Sequence, residues 1–276
     1  MSKITAAAVK SLRDKTSLPM MECKAALAET DGDEAAAIEM LRKKGLAKME
    51  GRADRTTSEG RMAVYCAEGV GALVEVQCES ASVASHDEFV QLANDLAKQL
   101  ATGPGAATPE ELLRQDSPSA TGKTIKAQME DLTNRTREVL RVPRICRIDA
   151  TCAGYAHHTG TVGVLLEVEG TVDADLAKDI CMHTAAMKPA VLTIEDLDAD
   201  EVAKEREILS AAARAEGKPE NIIEKMVDGR MRNYYAEQVL QEQPFVKDDK
   251  VTVGKAAAGA GMKLVRFVNW QLGEEG

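Results

Sequence analysis

The chain has 276 residues, 44% of them hydrophobic but only 3% aromatic, and carries a formal charge of −10 at neutral pH. This length admits one large domain or two to three smaller ones, with cores built from Ala, Val, Leu, Ile and Met. The acidic balance argues against a nonspecific nucleic-acid binder, whose affinity comes from neutralising phosphates, and no apolar run approaches the ~20 residues of a membrane span.

The opening Met1-Ser2-Lys3-Ile4 is unlike a secretory signal, so a cytosolic (cytoplasmic) chain is expected. The six cysteines then read as reduced thiols. Cys23 and Cys181 fall in helical patterns, and Cys66, Cys78, Cys146 and Cys152 in or beside strand patterns.

Residues 1–46 predict a compact three-helix unit. Thr5 is placed to cap the first helix, with Ile4 as its staple; Val9 and Leu12 form the inward face, and Thr16-Ser17-Leu18-Pro19 ends it. Met20, Cys23, Ala26 and Leu27 recur at helical spacing over residues 20–29. Asp33 caps a third helix with Ile38 and Leu41 inward, and Gly45 is its expected stop. Residues 47–59, with Lys48, Glu50, Arg52, Asp54 and Arg55, read as a polar linker with some helical character.

A repeat follows. Val70-Gly71-Ala72-Leu73-Val74-Glu75-Val76 returns 92 positions later as Val162-Gly163-Val164-Leu165-Leu166-Glu167-Val168, with five of the seven residues identical. Two copies are too few for a solenoid, so the pattern predicts a strand–hairpin–helix unit built twice. In the first copy, residues 61–66 and 72–77 alternate as strands around Glu68-Gly69. Phe89, Leu92, Ala93, Leu96 and Leu100 then define an amphipathic helix. Gly103-Pro104-Gly105 breaks it, and a further helix is expected from about residue 124 to 140, through Ile125, Met129, Leu132, Thr136 and Val139.

The second copy is expected to begin with the alternation at residues 144–148, followed by a strand at 163–168 and a helix at 175–187 stopped before Pro189. An insertion at about 198–242 has no counterpart in the first copy. Its two helices, 200–215 and 220 to about 242, carry Val202, Leu209 and Ala213 on one and Ile222, Ile223, Met226, Val227 and Tyr234 on the other. That suits an antiparallel helical hairpin joined by Glu216-Gly217-Lys218-Pro219. A last strand spans residues 264–272. The expected units are 1–46, a linker at 47–59, a first core unit at 60–142 and a second at 143–276.

Motifs of covalent or metal chemistry are weak. Gly122-Lys123-Thr124 lacks the glycine that a phosphate-binding loop needs at position 117, which is Ser, and no strand leads into it. Gly69-Val70-Gly71 lies inside a hairpin and lacks the third glycine of a dinucleotide site. Cys146, Cys152, His157 and His158 fit no compact Cys/His pattern, although a metal-dependent enzyme built on them is one alternative. His183, among apolar helical neighbours, reads as a packed core histidine. With no catalytic constellation, the chain reads as a binding protein and not an enzyme.

Several segments together resemble one family. Leu12-Arg13-Asp14-Lys15-Thr16, Met20-Met21-Glu22-Cys23-Lys24 with Ala26-Leu27, and Glu75-Val76-Gln77-Cys78-Glu79 are similar to elongation factor Ts. So are Tyr155 with His157, Met182-His183, Lys188-Pro189, Met226-Val227-Asp228-Gly229-Arg230 and Gln243-Pro244-Phe245-Val246. The resemblance implies an α+β protein: an N-terminal three-helix domain of ubiquitin-associated type, duplicated α+β core subdomains and an inserted antiparallel helical hairpin. It implies a guanine-nucleotide exchange factor that binds elongation factor Tu in its GDP form and promotes release of GDP and Mg²⁺ during translation elongation. No cofactor or metal of its own is implied, and no direct nucleic-acid or membrane partner.

By the same resemblance, Arg13, Met20 and Met21 are expected to touch the GTPase's nucleotide-binding domain, with one of the two methionines inward, and His157 to lie on a second contact surface. The family usually carries Thr-Asp-Phe-Val after the first repeat strand, where the aromatic wedges beside the partner's magnesium and phosphate site. This chain has Ser80-Ala81-Ser82-Val83 there. The second half of the molecule is therefore expected to carry more of the recognition than in typical relatives.

Overall fold

A computed structural model describes residues 4–16, 18–50, 54–217 and 219–274. Met1, Ser2, Lys3, Ser17, Arg52 and Lys218, on which parts of the sequence reading fell, lie outside the described residues.

Three helices open the chain: α1 (Ala6–Thr16), α2 (Met20–Glu29) and α3 (Glu34–Glu50). Thr5 Oγ1 accepts from the Ala8 amide at 3.2 Å and Asp33 Oδ1 from that of Ala36 at 3.0 Å, so both expected caps form. Val9, Leu12, Cys23, Ala26, Leu27, Ala37 and Leu41 make the small core. Two expectations fail on α3. Ala37, not Ile38, shares the inward stripe with Leu41, leaving Ile38 37% exposed. Gly45 does not stop the helix, which runs on to Glu50. The glycine serves close approach instead, because a Cβ there would overlap the Asn134 side chain of a later helix.

The first core unit begins with β1 (Glu59–Ala67) and β2 (Val70–Cys78), an antiparallel hairpin turning at Glu68-Gly69. After it come α4 (Ala81–Ala84), α5 (Asp87–Thr102), α6 (Pro109–Leu113), α7 (Ile125–Thr136) and β3 (Arg141–Ile148). Ala72, Val74 and Val76 of β2 pack on Phe89, Leu92, Leu96 and Leu100 of α5. α7 ends at Thr136, earlier than its apolar spacing suggests, with Arg137 as a left-handed cap at φ 61°. Strand pairing also corrects the expected start of the second copy. Residues 144–148 pair with β2 and complete the first sheet, in the order β1-β2-β3.

The second unit has the same plan. β4 (Cys152–Ala156) and β5 (Val162–Gly170) form its hairpin, α8 (Ala174–Met187) packs on it, and a late strand joins β5 from the other side. Between α8 and that strand lie α9 (Ala199–Ala215), α10 (Glu220–Gln238), the short pair β6 (Pro244–Phe245) and β7 (Asp248–Thr252), and α11 (Val253–Gly259). The late strand is β8 (Met262–Gln271), which gives the order β4-β5-β8. α9 and α10 form the expected hairpin around Ala213, Ile223, Val227 and Met231. Ile222, expected in that stripe, is 43% exposed. The β6–β7 pair and α11 were not expected.

The two sheets meet through the repeated residues. Val164, Leu166 and Val168 face their own unit's core, while Leu165 joins Met62, Leu73 and Ile148 in a cluster between the sheets. The contact is reciprocal. A Cβ on Gly71 would lie 2.7 Å from Leu165 Cδ1, and one on Gly163 2.6 Å from Leu73 Cδ1. The repeated glutamates also do one job twice, with Glu75 pairing across to Arg144 and Glu167 to Arg266, each at 2.6 Å.

Candidate partner-binding surface

Cys23, Ala26 and Leu27 exhaust the inward face of α2. Leu18, packed against the same core from the preceding segment, closes the start of the helix. Met20 and Met21 are therefore both turned out, 50% and 73% exposed, which corrects the expectation that one is inward. Two adjacent exposed methionines make a soft, adaptable apolar patch. Arg13 is exposed near the C-terminal end of α1 and makes no ion pair among the described residues.

Beyond β2 the chain enters the 80–83 loop as one turn of helix. Ser80 is its N-cap, the Oγ accepting from the Val83 amide at 3.4 Å. Ala81 and Ser82 are exposed, whereas Val83 is half-buried against the first core. The exposed face of this turn thus carries a methyl and a hydroxyl, with neither an aromatic ring nor a carboxylate. Glu138 anchors its base: Oε2 accepts from the Glu79 and Ser80 amides, both at 3.1 Å, and Oε1 from the Ser80 hydroxyl at 2.6 Å.

His157 sits on the turn between β4 and β5, half-buried, with Nδ1 2.7 Å from Thr159 Oγ1 and its ring edge-on to Tyr155 at 6.2 Å. That turn leans on β1. The Met62 amide donates to Gly160 O at 2.7 Å, and the Arg61 side chain covers Gly160. Glu59, three residues before Met62, pairs with Cys78, two residues before Ser80. At the strand rise this spans about 10 Å, so the His157 turn and the 80–83 loop share one end of the first sheet.

α2 is tied towards the same place. Arg137 Nη2 donates to Glu22 Oε1 at 2.7 Å, in the same first turn of α2 as Met20 and Met21, and Arg42 pairs with Glu130 of α7. A cavity of about 240 Å³ lies between α2, α3 and α7, lined among others by Leu18, Glu22, Gly45, Asn134 and Arg137. Sequence reasoning missed Arg137 and Glu138 because a helix was expected to run through them. The one signal was the crowd of β-branched residues at Thr136, Val139 and Val142, which disfavours helix.

The other sequence candidates resolve into packing. Thr124 caps α7 and Lys123 pairs with Asp131 at 2.6 Å, so Gly122-Lys123-Thr124 is a helix start. Among the described residues, no His, Cys, Asp or Glu group is placed to hold a metal. Cys146 and Cys152 lie at the interface of the sheets, where burial pushes both thiols up, Cys152 to about 12. His183 is fully buried. The Val246 amide donates to its Nδ1 at 3.3 Å, so the ring proton is on Nε2, facing Gln243 Oε1 at 2.9 Å. Burial holds it below the usual histidine range, against the opposing pull of Gln243.

Comparison with known proteins matches residues 79–274 to the family described as Elongation factor TS. Among curated relatives, Elongation factor Ts of Methylococcus capsulatus is 45% identical over 98% of this chain and 92% of its own. That of Thioalkalivibrio sulfidiphilus is 42% identical over the same shares, and that of Kineococcus radiotolerans 40% identical over 99% and 100%. The chain belongs to the elongation factor Ts family. It is thus grouped with translation elongation factors, and the first three helices, which precede the family match, are included in the likeness to these relatives.

Proposed function

We propose that this protein is a guanine-nucleotide exchange factor for elongation factor Tu, binding the GDP form and promoting loss of GDP and Mg²⁺. The observation that carries this reading is the end-to-end likeness, at 40–45% identity, to proteins named Elongation factor Ts. The mechanism is coupling without covalent chemistry. A factor that binds best to a GTPase whose nucleotide site is distorted must weaken GDP, and nucleotide must weaken the factor by an equal amount. Exchange is then reversible, and abundant GTP replaces GDP.

In this reading Arg13, Met20 and Met21 form one contact and His157 another. The turn of Ser80, Ala81, Ser82 and Val83 approaches the magnesium and phosphate site, and the backbone of that turn, not a side-chain wedge, presses on the partner. A cytoplasmic protein without direct nucleic-acid or membrane contacts fits the −10 charge, and no helix among the described residues is long and apolar enough to cross a membrane.

One observation favours a second reading. Ser82 is exposed where the resemblance leads one to expect an aromatic, which suits a slow exchanger that chiefly holds the GTPase. GDP release from elongation factor Tu, with native protein and with Ala81→Asp/Ser82→Phe, separates the two. Equal fast rates support exchange by the native turn. A native rate near the spontaneous one, rescued by the substitutions, supports the holding role; no acceleration and no complex with nucleotide-free GTPase sinks both.

A further inference from the structure

The 80–83 turn hangs from a second segment by two crossed carboxylates. Glu138 receives the amides of Glu79 and Ser80 and the Ser80 hydroxyl. In return, Glu79 Oε1 receives the Val139 amide at 2.8 Å, while Glu79 Oε2 holds Arg55 at 2.9 Å. Hydrogen bonds to ionised groups are the strong ones, and this set fixes backbone on both sides. The Ser80 hydroxyl gives its proton to Glu138 and uses its oxygen to cap the turn, so one carboxylate sets both the position and the winding of the turn.

The residue before Glu138 is held in an unusual state. Arg137 has φ 61°, a left-handed conformation that glycine takes freely and other residues take only under strain. Such strain persists only where the surroundings over-determine it. Here the strained residue turns the chain out of α7, delivers Glu138 to the loop, and sends its own guanidinium to Glu22 on α2. Adjacent residues therefore serve the two outer patches: Arg137 the helix of Met20 and Met21, Glu138 the turn at 80–83.

Building on the exchange reading above, we propose that Glu138 is the positioning residue for exchange, holding the 80–83 turn at the height and angle that act on the partner, and that Arg137 sets its spacing from α2. A turn without a large wedge acts through where its backbone is held, so displacement reduces the release step more than it reduces binding.

Release of a fluorescent GDP analogue from elongation factor Tu, measured at rising concentrations of the full chain, tests this. Glu138→Ala is expected to lower the saturating release rate about tenfold while the half-saturating concentration moves much less. Glu138→Gln, which keeps one acceptor oxygen, falls between. Arg137→Gly suits the left-handed backbone, so its melting temperature holds or rises, yet its saturating rate falls. The proposal is overturned if native protein accelerates release and Glu138→Ala matches it at saturation, or if its whole loss lies in the half-saturating concentration. An Arg137→Gly variant as fast as native protein overturns the spacing role. A native protein that fails to accelerate release would instead refute the exchange reading, and this inference with it.

Discussion

Leu165 lies on Gly71 so closely that a Cβ on the glycine would stand 2.7 Å from the leucine's Cδ1. The same Cβ would meet Cys152 Cβ at 2.6 Å, a backbone-proximal atom that cannot swing away. Gly71→Ala is therefore expected to destabilise the protein by about 1–3 kcal/mol through overpacking between the sheets. Urea unfolding would show it, and an unchanged midpoint would mean that the sheets can separate at little cost.

The duplicated glutamates differ in what surrounds them. Glu75 is 1% exposed, and besides Arg144 it accepts from Gln77 Nε2 at 2.7 Å and the Gly273 amide at 3.0 Å. Arg144 in turn stacks on Trp270 at 4.5 Å. Glu75→Ala leaves that arginine unmatched and is expected to cost about 3–5 kcal/mol. Glu167 pairs with an arginine that is 59% exposed, so Glu167→Ala should cost about 1 kcal/mol or less. Similar losses in the two variants would contradict this account.

His183 makes stability depend on pH. Its folded pKa lies below the ordinary 6.5, so under mildly acidic conditions the unfolded chain binds a proton that the folded one refuses. Stability is then full above pH 6.5 and declines as pH falls from there towards the folded value. Denaturant titrations between neutral and mildly acidic pH should show this decline in native protein and a shallower one in His183→Gln. Parallel slopes would assign it elsewhere.

Recognition is expected to rest more on the His157 turn than on the side chains of the 80–83 turn. His157→Ala should weaken GDP-release activity about tenfold, as loss of one anchored contact does, and Arg13→Ala should act in the same direction. Ser82→Ala should act far less, since its hydroxyl is exposed. Unchanged release rates in both His157→Ala and Arg13→Ala would remove those residues from the contact surface.

Much of this architecture is legible in the residues. Strands β1, β2 and β5, α5 and the α9–α10 pair follow from periodicity, which records which side of an element is dry; β4 was missed. The third strand of each sheet also read as a strand, but its pairing was not legible. β3 and β8 are unlike in sequence, and only their partner strands β2 and β5 carry the repeat. Pairing between distant segments leaves no local pattern, so residues 144–148 looked like a beginning when they are an end. Ile38 and Gly45 mislead for a related reason: their surroundings are set by the packing of α3 within its unit and against α7. Of the candidate site, the outward-facing residues were named from family resemblance. Glu138 was not, because it acts through amides 58 and 59 positions away, and hydrogen bonds to backbone leave no trace in the identity of the partner residue.

The order of the strands also sets an order of assembly. The first sheet is finished when β3 is made, by Ile148, whereas β5 waits for β8 until Met262. As the chain leaves the ribosome, its first unit can fold while β5 still has an open edge, the kind of edge that invites wrong pairing. The α9–α10 hairpin fills this interval. Its core is drawn from α9 and α10 alone, so its contacts are local and do not wait for the last strand.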